Sequence, residues 1–231
     1  MKVELLQMID GAKQAKGLTV IIDVFRAFSL ECYLMAAGAG RLLPVGATET
    51  AYALKEQNPD YVLVGERHGV ILPGFDFGNS PTQTEGVDFG GKTLVHTTSA
   101  GTQGIANASG ADEILTGSLV NARAIARYIQ KKGYERVSSV CMGVEGKCEA
   151  PEDTLCGRYI KSILEGQELD MEAELARLRE EPEAVKFFKP ENQNVYPEGD
   201  YWRSTAVDKF DFVLKVEQLE KDVFEIYRID V

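Results

Sequence analysis

Histidine is scarce in this 231-residue chain: there are two, His68 and His96, beside one tryptophan and four cysteines. Two histidines, with cysteines at 32, 141, 148 and 156 in no C-x-x-C pair, argue against a zinc site and against a dithiol redox centre. A chain of this length needs no disulfide staples either. The stretch "CMGVEGK" from Cys141 lacks the arginine of a cysteine-phosphatase loop, so Cys141 reads as a core residue. There is no Walker A lysine motif, no D-x-D-x-T, no internal repeat and no low-complexity tract. The longest apolar runs, such as "LTVII" and "LMAA", are far too short to span a bilayer, and "MKVELLQMIDGAK" has no uninterrupted signal-peptide core. The expectation is a cytoplasmic protein.

Basic charge is also in deficit, with 25 Lys and Arg against 36 Asp and Glu and a net charge of −11. That balance argues against nucleic acid or an anionic membrane as the main partner. Its distribution is uneven. Residues 1–150 hold 16 acidic and 14 basic side chains, whereas 151–231 hold 20 and 11, so the first two thirds are nearly neutral and leave room for an anion site.

With 44% apolar and 26% charged residues, what remains is an ordinary globular composition. Short apolar runs alternate with helix-like segments, which is the pattern of a layered α/β/α fold with a mixed, largely parallel sheet. Strands are expected at 18–23, 41–45, 61–65, 92–96, 112–116 and 136–141. Helices are expected at 29–38, 48–57, 101–108, 119–132 and 151–165. "SPTQ" and "APED" both read as helix starts, with Ser80 as a cap and Pro81 or Pro151 at the first helical position. After residue 165 the charged sequence predicts a short helical insertion near 167–189, broken at Pro182, read as a solvated packing element. "KFDFVLKV" and "VFEIYRI" then return to strand-like patterns. The whole is read as one α/β unit over 1–231, divisible into sub-lobes at about 1–165 and 166–231.

Ligands of open α/β sheets lie beyond the carboxyl ends of strands, which directs attention to polar residues just after apolar runs. Asp23 with Arg26, and Glu66 with Arg67, pair a carboxylate able to hold a cation with a guanidinium able to fork onto an oxyanion. "HTTSAGT" supplies Thr98, Ser99, Gly101 and Thr102 at a strand-to-helix passage of the kind that cradles phosphate. Magnesium is the expected cofactor, because hard oxygen ligands are plentiful; Asp23, Glu66, Asp76 and Asp153 are candidates. The Arg67-His68-Gly69 tripeptide also occurs around the nucleophile of histidine phosphatases. Such an enzyme would want its motif near the first strand and a second histidine with further arginines. His68 therefore reads as a surface or satisfied histidine.

The ordered set "IDVFRA", "GERHG", "GFDFGNSP", "HTTSAGT", "GSLVNA" and "PEDTLCG" resembles the 2-phosphosulfolactate phosphatase family, strongly over residues 18–165 and more weakly to "VDKFDFVLKV". The resemblance implies a magnesium-dependent phosphatase that releases phosphate from 2-phospho-3-sulfolactate, on the way to coenzyme M. It points to Asp23, Arg26, Glu66, Arg67, Asp76, Asn79, Ser80, Ser99, Gly101, Thr102, Asn121, Glu152 and Asp153. From the residue chemistry, Asp23, Arg26 and Glu66 are expected to be catalytic, Arg67, Asn79, Ser80, Thr98, Ser99, Gly101, Thr102 and Asn121 substrate-binding, and Asp23, Asp76 and Asp153 metal-binding. The partner would be a small anionic phosphorylated substrate, and a homodimer is expected from the chain's size and the frequency of two-fold assemblies. Two departures, "VFRAFS" for the common "VLRATS" and "TTSAGT" for "TTTNGT", bear on the substrate. They keep open another small phosphorylated hydroxy acid, or an inactive phosphate- or sulfonate-binding relative.

Overall fold

Why "GLTVII" forms a central strand is visible in its burial: all six residues of β2, Gly17–Ile22, are buried. β-Branched and apolar side chains without polar alternation suit a strand covered on both faces. The computed structural model describes all of residues 1–231. β2 pairs in parallel with β7, Ala111–Gly117, and β8, Arg136–Cys141, while β8 pairs with β1, Lys2–Gln7. A second parallel group holds β3, Arg41–Pro44, β6, Thr93–Thr97, and β4, Val62–Arg67, edged by the two-residue β5, Val70–Ile71.

The chain's last two strands join these groups. β9, Phe212–Glu220, and β10, Val223–Asp230, form a hairpin that pairs antiparallel with β7 on one side and β3 on the other. The result is one ten-stranded mixed sheet in the order β1-β8-β2-β7-β9-β10-β3-β6-β4-β5. The two parallel groups thus run in opposite senses across the hairpin. A single core holds Ile21 and Val140 from one group, Leu42, Val64 and Leu94 from the other, and Leu214 and Ile226 from the hairpin, so the sheet curls about it.

Helices cover the sheet: α1, Met8–Gln14; α2, Ala27–Ala36; α3, Thr48–Gln57; α4, Gly101–Asn107; α5, Ala122–Lys132; α6, Pro151–Leu164. The expected helices at 48–57, 101–108 and 151–165 form almost to the residue. Pro151 sits in the first turn of α6 with Glu152 and Asp153 behind it, as the chemistry of "APED" predicts. The start read at "SPTQ" differs. Ser80 Oγ does accept the Gln83 N–H at 3.1 Å, but residues 81–86 form turns and no helix. The Gln83 side chain reaches the Asn194 carbonyl and does not close a capping box. β1 and α1 were not expected; they abut with no turn residues between them, so neither period is punctuated in the sequence.

The expected helical insertion is α7, Met171–Leu178, and α8, Pro182–Val185, broken at Pro182 and followed by 3₁₀ turns and α9, Glu198–Ser204. It is not merely a wet packing element. Phe187, 0% exposed, stacks edge-on against Phe25 with ring centroids 5.1 Å apart, which fastens the segment to the loop after β2. No helix is long and apolar enough to cross a membrane.

Candidate active site

Strand register fixes where the site begins. Ile22 lies opposite Gly117 and Cys141, so the chain leaves β2, β7 and β8 at one level; Gly65 opposite Thr97 does the same for β4 and β6. Residues following β2, β4, β6 and β8, with the first turn of α6, line a cleft of about 270 Å³.

Asp23 leaves β2 into this cleft, and Glu152 and Asp153 enter it from α6; all three are less than a tenth exposed. Asp153 ties two loops together, Oδ1 accepting the Val24 N–H and Oδ2 the Gly143 N–H, each at 2.8 Å. Asp23 Oδ1 accepts the Ala27 N–H at 3.3 Å. Glu152 Oε2 is buried with no hydrogen-bond partner. Burial, and then the charge of Asp153 and Glu66, raises the Asp23 carboxyl far above the usual carboxylate range. Burial and Glu152 do the same to Asp153, and burial raises Glu152. Three acids that push one another toward the neutral form are a site short of positive charge.

The loop after β6 is wired to Glu66. Glu66 Oε1 accepts the Ser99 N–H at 2.7 Å; Oε2 accepts the Ser99 hydroxyl at 3.0 Å and the Gly69 N–H at 2.7 Å. Thr98 and Thr102 satisfy each other, each hydroxyl accepting the other's N–H at 3.2 Å. Gly101 has a steric reason to be glycine, since a Cβ there would lie 2.9 Å from Asp23 Oδ2 and 2.8 Å from the Phe28 ring. Of this loop, Ser99 and Ala100 face the cleft.

Two tethers meet at the neighbouring residues Asn79 and Ser80. Ser80 Oγ donates to Asp200 Oδ1 at 2.8 Å, and Asp200 Oδ2 holds Arg26 at 2.8 Å in a pair where both side chains are almost wholly buried. The Arg26 guanidinium also donates to the Val195 and Gly69 carbonyls and stacks on Tyr196 at 4.9 Å. Asn79 Oδ1 lies 3.0 Å from Nε2 of the buried His96, whose Nδ1 lies 2.9 Å from Glu31 Oε1.

Asp23, Arg26, Glu66, Asn79, Ser99 and Asp153 are therefore brought together in the cleft, with Glu152. Others are not. Arg67 donates to the Glu66 carbonyl and the Thr97 hydroxyl, and Asp76 caps the Leu63 N–H 3.7 Å from Lys55; neither lines the cleft. Asn121 spends Oδ1 on the Ser118 N–H. Arg158 on α6 pairs with Glu174 away from the cleft. His68 stands at the cleft mouth, largely exposed and paired with Glu145. The residues that sequence reasoning missed come from the helical segment: Glu183 and Lys186, paired with each other, and Tyr196 form one wall. Their only signal was a change of composition after residue 165.

The family profile for 2-phosphosulpholactate phosphatase matches residues 5–193. The chain is similar to the probable 2-phosphosulfolactate phosphatase of Bacillus subtilis (strain 168), 33% identical over 204 residues, 87% of each chain. It is similar to proteins of the same name from Clostridium acetobutylicum, 38% identical over 165 residues and 69% of each chain, and from Deinococcus radiodurans, 39% over 131 residues, 56% of this chain and 55% of the relative. With Asp23, Arg26, Glu66, Asn79 and Asp153 of the sequence motifs gathered in one cleft and the profile spanning most of the chain, this protein belongs to the 2-phosphosulpholactate phosphatase family.

Proposed function

We propose that the protein is a magnesium-dependent phosphatase that hydrolyses 2-phospho-3-sulfolactate to 3-sulfolactate and phosphate in this cleft, a step toward coenzyme M. The single observation that carries the reading is the buried Asp23–Glu152–Asp153 cluster with its partnerless Glu152 Oε2. Six carboxylates line the cleft, Asp23, Glu66, Glu145, Glu152, Asp153 and Glu183, against the cations Arg26 and Lys186, both already paired. A substrate of this kind carries about four negative charges near neutral pH. Without an added cation, that cleft would repel it.

No three His, Cys, Asp or Glu side chains form a ready metal cage. The residues nonetheless fit magnesium, which takes one or two carboxylates and completes its shell with waters and the substrate's own phosphate. Asp23 and Glu152 would hold it, since Asp153 already has both oxygens on backbone N–H groups. When bound, the metal supplies charge neutralisation on the phosphoryl oxygens.

The protein's own groups do the rest. Asp23 takes the proton of the attacking water and passes it to the lactate oxygen as its P–O bond breaks, or attacks phosphorus itself, expels that oxygen and is freed by a second water; Gly101 lets the loop after β6 close against it. Glu66 holds that loop in place through Ser99. Asp200 and the Val195 carbonyl aim the Arg26 guanidinium at the cleft, where it meets an anionic substrate oxygen. Lys186, over the Tyr196 ring at 4.7 Å, stands where the acid groups remote from the phosphate would lie.

The test is phosphate release from 2-phosphosulfolactate by the purified protein, with Mg²⁺ and with EDTA, beside phospholactate. Metal-dependent release that favours the sulfonate supports the proposal. The scarcity of uncommitted cations in the cleft favours a second reading, a phosphorylated hydroxy acid without a sulfonate; equal or better release from phospholactate would support it. Release unaffected by EDTA would overturn the metal-dependent reading.

A further inference from the structure

A polar chain runs from the core to the cleft. Glu31 on α2 and His96 on β6 are both 0% exposed, and they join at 2.9 Å through Nδ1; Nε2 continues to Asn79 Oδ1 at 3.0 Å. Asn79 lines the cleft, and its Nδ2 makes no hydrogen bond within the protein.

We propose that His96, braced by Glu31, is a positioning residue that fixes the Asn79 amide with its oxygen inward and its nitrogen toward the cleft, so that Asn79 donates to an anionic oxygen of the substrate. The proposal rests on the phosphatase reading for the identity of that substrate. Proton placement sets the orientation of the Asn79 amide. A wholly buried carboxylate and imidazole are costly unless the pair is neutral overall, so two protons belong to it. They sit on both ring nitrogens beside an ionised Glu31, or one on Glu31 facing Nδ1 and one on Nε2. Burial raises the Glu31 carboxyl while the His96 hydrogen bond pulls it back. In either arrangement Nε2 carries hydrogen and can only donate. Asn79 must then present its carbonyl to the ring, which leaves the NH₂ group for the cleft.

Without that donor the amide is free to turn its oxygen into a cleft already crowded with carboxylates, where it would repel a phosphate. Ser80, one residue on, shows the same economy: it acts on the cleft through Asp200 and Arg26. Two adjacent residues of one loop are thus each tied to a buried acid, Asn79 through His96 to Glu31 and Ser80 directly to Asp200.

The experiment is calorimetric titration of inorganic phosphate, in Mg²⁺, into wild type, Asn79→Ala, Asn79→Asp, His96→Phe and the His96→Phe/Asn79→Ala double variant, with melting curves to certify folding. Each single variant is expected to weaken phosphate binding by about tenfold, the value of a hydrogen bond to a charged group. The double variant should bind no more weakly than Asn79→Ala, because His96 acts through Asn79; a structural role would add its own loss. Asn79→Asp accepts from His96 but has nothing to donate, and keeps the proposal testable if His96→Phe does not fold. Unchanged affinity in folded Asn79→Asp or His96→Phe, additive losses in the double variant, or no phosphate binding by wild type would overturn the proposal. Phosphate binding with the expected pattern but no hydrolysis of 2-phosphosulfolactate would sustain it while removing the phosphatase reading.

Discussion

Asp23 and His68 separate two chemistries that the sequence brings close together. Asp23 lies within the cleft beside two further acids, and its carboxyl cannot be replaced by an amide without losing both a charge and a proton acceptor. Asp23→Asn should lower kcat by about 10²–10⁴-fold, the usual range for a lost acid–base group, with the melting temperature at neutral pH not lowered, because the shapes match and a raised buried carboxyl is removed. His68 is exposed at the mouth and held by Glu145, so His68→Ala should change kcat less than about threefold, as expected of a rim contact of little energetic worth. Steady-state phosphate release by the two variants is the check, and the reverse order of effects would return His68 to the role of nucleophile.

Elements matter through how they are fastened. The segment containing α8 and α9 walls the cleft with Glu183, Lys186 and Tyr196, and its hold on the loop after β2 is the Arg26–Asp200 pair together with the Phe25–Phe187 contact. Removing one member of a buried ion pair strands the other in a low-dielectric site at a cost of about 3–5 kcal/mol. Asp200→Ala should therefore unfold at markedly lower denaturant, as read by chemical denaturation, and the folded fraction should show a raised KM because Arg26 loses its aim. A variant with wild-type stability would mean that the segment is not held in this way. The same segment shows the limit of sequence reading. "ELDMEAELARLREEPEAVKFF" has a polar face and a kink at Pro182, and both are present, but a charged face looks the same whether it meets bulk water or a cleft. Asn121 and Asp76 show another. Each follows or faces a strand end, yet Asp76 turns to the Leu63 N–H, which the folded chain brings near, and Asn121 is spent on the Ser118 N–H of its own capping turn. Asp23, by contrast, was readable because it directly ends a strand buried along its full length. The strand patterns at 212–220 and 223–230 were equally plain; that this hairpin sits between the two parallel groups was not, because pairing partners lie about a hundred residues or more away.

For the whole molecule, the acid cluster links stability to pH and metal. Asp23 and Asp153 are pushed up to about 8 and Glu152 to about 7 in the folded state, by burial first and by the charge of neighbouring carboxylates after it, Glu183 among them for Glu152. Between the ordinary carboxylate range near 4 and those raised values the native state holds more protons than the unfolded chain. Stability contributed by these groups is thus present at low pH and lost as pH rises toward 8. A cation that binds the ionised carboxylates reverses the trend, because it stabilises the state that deprotonation creates. The most direct measurement is the melting temperature of metal-free protein from about pH 5 to pH 8, repeated with Mg²⁺, for wild type and Glu152→Gln. In wild type the melting temperature should fall by several degrees with rising pH and recover in Mg²⁺ near pH 8; in the variant the fall should be smaller, with little recovery. A melting temperature indifferent to Mg²⁺ at pH 8, or the same recovery in Glu152→Gln, would contradict metal binding by the acid cluster.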